Sequence, residues 1–253
     1  MGDVYKAMMR SSQSSLLADP DSQADQQSAE TYQWQPVSEN ALRLKVSHEG
    51  RIAAQFDEVR IKLLQHAAEH RIQIHAFSSA MPGPDEGRAS CALHLALSFA
   101  RMPGTRVLLI DMDATSHGAL LKCFDGKADL GVADFVCGEV SSLDAVTYPT
   151  DAPPEAPSLH VMPLGRTSMG STLFDQSRLG QMLDRCRDLY DHIVIDAPSV
   201  LGHSGCTRLS KFCDEMLLAV ALRFTPTDEL ERAKRLLADH DCQVTGVVLT
   251  ERK

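Results

Sequence analysis

Two short apolar runs that end in acid, VLLIDMD (107–113) and HIVIDAP (192–198), constrain this chain more than any other feature. An unbroken run of Val, Leu and Ile is buried on both faces, as in a strand of a parallel sheet covered by helices on each side. Similar runs recur at 72–77, 159–164, 215–222 and 244–249. Between them, residues 50–70 carry apolar side chains at 52, 56, 59, 63 and 64, which is helical spacing. Helices are also expected over 89–101, 178–189 and 228–240. Strands alternating with helices in this way predict an α/β fold, a mostly parallel sheet with helices on both faces. Such sheets gather ligands at the carboxyl ends of their strands. The loops after Phe77, Ile110 and Ile195 are therefore where chemistry is expected.

Composition narrows the class. With 253 residues and 43% hydrophobic content, the chain can bury one large core. A net charge of -9 disfavours general nucleic-acid binding, so no nucleic-acid partner is expected. The seven cysteines are an odd number and form no C-x-x-C, which fits a reducing, cytoplasmic compartment. No segment approaches the roughly 18–20 apolar residues that span a bilayer, and MGDVYKAMMR lacks the apolar core of a signal peptide. Gly2 invites a myristoylation reading, but Lys6 stands where that signal needs Ser or Thr. Membrane association is thus expected only through a partner. Residues 1–10 can form a short helix with Val4, Tyr5, Met8 and Met9 on one side, and 11–40 read as a flexible linker carrying Trp34. The expected division is 1–45 for helix and linker and 46–253 for the α/β domain.

The first candidate loop, SSAMPGPDEGRASCALHLA (78–96), leaves a strand and opens a helix. That is the setting of a P-loop, whose backbone N–H groups and helix N-terminus cradle phosphates. A Lys normally reaches the outer phosphates and the following Ser or Thr holds Mg²⁺. Here Gly87 keeps its place, but Arg88 replaces the Lys, Ala89 replaces the hydroxyl, and Pro82 replaces the first Gly. Asp111, Asp113 and Asp196 end the other two strands, where carboxylates hold Mg²⁺ and orient the attacking group in P-loop ATPases. Helix capping would explain any one of these acids. Three matches in the right order and on the right elements favour a shared site.

These segments resemble the bacterial tyrosine autokinases (BY-kinases) of polysaccharide synthesis and export, within the MinD/ParA-like branch of P-loop ATPases. Their loop, S-S-x-x-P-G-E-G-K-S-T, is matched by SSAMPG, two extra residues (Pro84, Asp85) and EGRAS. LLIDMD (108–113) and YDHIVIDAPS (190–199) resemble the two acidic segments, and DLGVADFVCGEV (129–140), LHVMPLG (159–165), STLFDQSRL (171–179) and TGVVLT (245–250) resemble later stretches. The N-terminal GDVYKAMMR resembles the opening of some exopolysaccharide kinases.

The resemblance implies ATP or ADP with Mg²⁺, weakened or lost here, beside Gly83, Glu86, Gly87, Arg88, Ala89, Ser90 and Thr250. Thr250 stands where the family's Asn faces the adenine. Asp111, Asp113 and Asp196 would be catalytic if the chain is active, with Asp111 and Asp196 on Mg²⁺ if it is bound. The family's oligomer motif E-x-x-R-x-x-R survives only as Ala54, Asp57 and Arg60, and the tyrosine-rich tail is not in the sequence, which carries Tyr5, Tyr32, Tyr148 and Tyr190. The expected function is a degenerate, pseudokinase-like subunit with weak or no ATP turnover, peripheral at the inner membrane. Its implied partners are a membrane chain-length or export protein, further copies of itself, or an intact kinase. The alternatives are an active ATP-dependent tyrosine kinase or ATPase using Arg88, and a MinD/ParA-type positioning ATPase. HAAEH (66–70) fits an inverted zinc-peptidase motif but belongs to a helix of a different fold. His94 is expected to be structural and His117 to be a solvated loop residue, while Arg166, in the loop after a strand end, is expected either to meet a nucleotide phosphate or to be solvated.

Overall fold

A computed structural model describes residues 41–46, 49–67, 72–82, 87–115, 118–151, 159–166, 170–175, 177–242 and 244–251. The N-terminal helix, the linker, Trp34, Gly83, Glu86, Glu69, His70 and His117 lie outside the described residues.

The apolar runs form strands because their alternate residues enter opposite cores. β1 is Arg43–Leu44, β2 Ile74–Ser79, β3 Val107–Asp111, β4 Phe124–Asp125 and β5 Tyr148–Pro149. β6 is Leu159–Met162, β7 His192–Asp196, β8 Glu215–Ala221 and β9 Val244–Thr250. The main sheet runs β5-β6-β3-β7-β2-β8-β9, parallel throughout except for the β5–β6 pair. Every position of β2, β3 and β8 is buried.

The helices are α1 Arg51–His66, α2 Arg88–Ala100, α3 Val132–Cys137, α4 Ser177–Leu189, α5 Gly205–Leu209 and α6 Thr227–Ala238. On one face Ile74, Ile110 and Ile195 pack with Leu179, Met182 and Leu183 of α4 and with Ala233 and Leu237 of α6. On the other, Phe77, Leu109 and Val194 pack with Leu93, Leu97 and Phe99 of α2 and with Phe56 and Leu63 of α1. Each fully buried Leu or Phe contributes about 1.5–3 kcal/mol from removal of apolar surface from water, so the α2 stripe alone anchors that helix firmly.

β2 begins at Ile74 rather than 72, because its parallel partners fix the register: Ile74 pairs with Ile193 and His75 with Glu215. Before that point Gln73 is held instead by Asp214, whose Oδ2 accepts its backbone N–H at 2.8 Å. The sequence pattern omits β1, β4, β5, α3 and α5, elements of two to six residues that carry no readable periodicity. β1 and β4 form a separate antiparallel pair, and Leu42 bonds Pro149 through its backbone N–H at 2.9 Å and is buried.

α1 lies on α2 through a polar clasp. Asp57 Oδ1 accepts from Ser98 Oγ and from Arg101 Nη2, each at 2.6 Å, and Arg60 Nη1 donates to the Ser98 carbonyl at 2.8 Å. Two of the positions matching the family's oligomer motif are thus engaged within the chain. Among the described residues no helix is long and apolar enough to cross a membrane.

Candidate functional site

The strand order brings three loop starts together, since β7 lies between β3 and β2. Asp196, the last residue of β7, is in register with Asp111 on β3 and with Phe77 on β2. The chain leaving β3 is pinned to the chain leaving β7, because Met112 N–H donates to the Asp196 carbonyl at 2.9 Å. Likewise Ala197 N–H donates to the Phe77 carbonyl at 2.8 Å and Val200 N–H to that of Ser79 at 2.8 Å. Ser78 Oγ adds a bond to the Pro198 carbonyl at 2.7 Å.

Gly87 precedes α2 with φ 69°, a left-handed conformation that strains any residue with a Cβ. Thr250, at the end of β9, packs beside it: a Cβ at Gly87 would lie 3.3 Å from Thr250 Cγ2. Ser90 lies one turn into the helix, exposed, with Oγ 3.3 Å from His94 Nδ1. Ala89 presents only a methyl group.

Arg88, the first residue of α2, sends its side chain back into the strand ends. Its guanidinium is 8% exposed. Nε donates to Asp196 Oδ1 at 2.7 Å, Nη2 donates to Asp113 Oδ2, and Nη1 donates to Ser79 Oγ at 3.3 Å. The planar fork is shared among two acids and a hydroxyl, a division that a compact ammonium cannot reproduce. Asp113 is fixed from the other side, where its Oδ1 accepts from Thr115 N at 3.0 Å and Thr115 Oγ1 at 2.6 Å. Asp113 N–H in turn donates to Asp111 Oδ1 at 3.0 Å.

Burial dominates the electrostatics. Asp111 is held well above the ordinary carboxylate range, first by burial and then by the negative charge of Asp196. Burial also raises Asp196, against the opposing pull of Arg88. For Arg88 itself, burial disfavours the charge, and Asp196 and Asp113 outweigh that.

The structure thus brings Arg88, Asp111, Asp113 and Asp196 into one cluster and sets Gly87 and Thr250 against each other beside it. Ser79 and Thr115 complete the cluster and were not singled out from sequence. Thr115 carried a signal, since Asp-x-Thr is a common local turn in which the hydroxyl returns to the carboxylate. His94 is structural: Nδ1 donates to the Ser90 carbonyl at 2.8 Å and the ring stacks on Phe56. His203 accepts from Gly205 N–H at 3.1 Å, and Arg166 is exposed with its N–H on Asp134 at 3.2 Å.

Magnesium at nucleotide sites is held by one or two carboxylates, with water and phosphate completing an octahedron, and here the carboxylates are already engaged. Arg88 occupies one oxygen each of Asp113 and Asp196, Asp111 Oδ1 is engaged by a backbone N–H, and Ala89 has no hydroxyl. Among the described residues Asp196 Oδ2 is buried with no hydrogen-bond partner, a lone oxygen rather than a ligand set. Among the described residues no group of three or more His, Cys, Asp or Glu is placed to hold a metal ion.

No family model matches the chain. The tyrosine-protein kinase ptk of Acinetobacter johnsonii is 27% identical over 205 residues, which are 77% of this chain and 27% of that protein. The tyrosine-protein kinase CpsD of Streptococcus pneumoniae is 27% identical over 183 residues, covering 72% of this chain and 77% of its own. In structure, the kinase domain of Escherichia coli tyrosine kinase ETK superposes with a TM-score of 0.71 at 21% identity, over 79% of this chain and 75% of its own. The MinD cell division protein of Aquifex aeolicus follows at 0.53 and 17%, over 72% and 70%. The fold is therefore the MinD/ParA type of P-loop arrangement, and in sequence the chain is similar to bacterial tyrosine-protein kinases.

Proposed function

We propose that this chain is a BY-kinase-like P-loop subunit of capsule or exopolysaccharide assembly that acts by binding partners, with weak or no ATP turnover. The observation that carries this reading is the side chain of Arg88. At the position where a P-loop Lys would extend toward phosphate, it is bonded to Asp113 and Asp196. Phosphoryl transfer rests on positioning and on cations that neutralise developing charge. A cation committed to the protein's own carboxylates is withdrawn from that task. The partners expected on this reading are a membrane chain-length or export protein and an intact kinase, and the location is peripheral at the inner membrane.

Purified protein should release phosphate from ATP at least about a hundredfold more slowly than an intact tyrosine-protein kinase of the family, the cost of one lost transition-state cation. Turnover at a comparable rate would sink the reading. The clustering of Asp111, Asp113 and Asp196 favours a second one, an active kinase or ATPase that uses Arg88. In that case Asp196→Asn abolishes phosphorylation.

A further inference from the structure

We infer that Arg88 is a built-in cation that takes the seat a divalent metal would need between Asp113 and Asp196, so that this site is organised without a metal. The inference deepens the reading above and shares its key side chain, but it is tested on metal uptake rather than on turnover.

Three observations converge on it. The guanidinium bridges one oxygen of each acid, where those carboxylates would otherwise face one another across a buried space. It is held in place from a third direction by Ser79 Oγ, which itself donates to the Met81 carbonyl at 3.0 Å. And Asp113 is turned toward it by two bonds from Thr115, so the seat is built on both sides. Two buried carboxylates repel unless a positive charge lies between them. A metal ion and a guanidinium each satisfy that requirement, and the same two oxygens cannot serve both. A divalent cation could enter only by displacing Arg88, breaking two charge-assisted hydrogen bonds and leaving a buried guanidinium without its acids. The Ala89 methyl offers the ion nothing in return.

The test is Mn²⁺ uptake by the full chain, read from the loss of free-ion signal in electron paramagnetic resonance, together with thermal unfolding with and without Mn²⁺. The wild type should take up no Mn²⁺ and its unfolding midpoint should not respond to the ion. Arg88→Ala should unfold roughly 5–10 °C lower, because buried acids have lost their counter-ion. Unlike the wild type, it should take up about one Mn²⁺ per chain and recover its midpoint when the ion is added. If the alanine variant does not fold, Arg88→Gln, which keeps most of the side-chain volume, is read by the same criteria.

Stoichiometric Mn²⁺ uptake by the wild type overturns the inference whatever the variants do. A folded Arg88 variant that ignores Mn²⁺ overturns it as well. The two proposals fail separately. Slow turnover with metal uptake would leave the partner role standing and end this one, whereas rapid ATP hydrolysis in excess chelator would do the reverse.

Discussion

A second buried polar group sits at the amino ends of the strands, away from Arg88. His75 Nδ1 bonds Glu215, His75 Nε2 lies 3.1 Å from His192 Nδ1, and Phe99 stacks on both rings at centroid distances of 4.8 and 4.0 Å. Burial pushes the His192 imidazole down to about 4, aided by His75 and Arg60 and opposed by Asp191. The folded state therefore holds His192 neutral while the unfolded chain takes up a proton below its ordinary value of 6.5. Unfolded chains bind more protons in that window, so stability falls as pH drops from about 6.5 to about 4 and this contribution levels off below. The loss is on the order of 3 kcal/mol. Urea unfolding at pH 7, 5.5 and 4 should show it, and His192→Gln should remove that part of the slope while leaving the carboxylate part.

Among the elements, Asp214 is a junction. Its Oδ2 accepts from the backbone N–H of Gln73 and Ile74, each at 2.8 Å, at the start of β2, and its two oxygens receive Arg187 of α4, each at 2.7 Å. One carboxylate thus fixes where β2 begins and how α4 meets the entry to β8. Burial works to raise this acid, but Arg187 and the two N–H groups hold it below its ordinary value of 3.8. Its contribution is present above that value and is lost as pH falls through the lower folded one. Asp214→Ala should cost about 1–3 kcal/mol at pH 7 in chemical denaturation, because two strand N–H groups and Arg187 lose their acceptor. The difference from the wild type should narrow toward pH 2. The clasp between α1 and α2 works the same way, but Asp57 is 36% exposed and water weakens it.

At the scale of the whole molecule, the cysteines report on cooperative unfolding. Cys91, Cys186, Cys206 and Cys242 are buried, and Cys137 is exposed at the end of α3. Burial pushes the Cys91, Cys186 and Cys206 thiols up to about 12, so they are neither ionised nor accessible at neutral pH. A disulfide-exchange reagent should react first with one thiol per chain. Cys137→Ser should remove that phase, and the buried thiols should follow only on addition of guanidinium chloride. Rapid reaction of the buried thiols in native buffer would mean that the two cores open far more readily than their packing implies.

The sequence by itself determined the six parallel strands of the main sheet and the acids that end two of them, because a doubly covered strand must be apolar throughout and a carboxylate at its end interrupts that run visibly. It also placed Arg88 at the head of a helix, and its two acidic runs at the ends of β3 and β7. It could not supply the partner of any of these. Residues 88, 113 and 196 are far apart in the chain, and only the order β3-β7-β2 makes them neighbours. The two-residue strands, the Asp214 junction and the His75–His192–Glu215 group were unreadable for the same reason: each consists of contacts across the fold, with no local period. What the tertiary structure decided is the meaning of Arg88. An arginine that the sequence places at the head of a helix becomes, once folded, a positive charge bonded to Asp113 and Asp196.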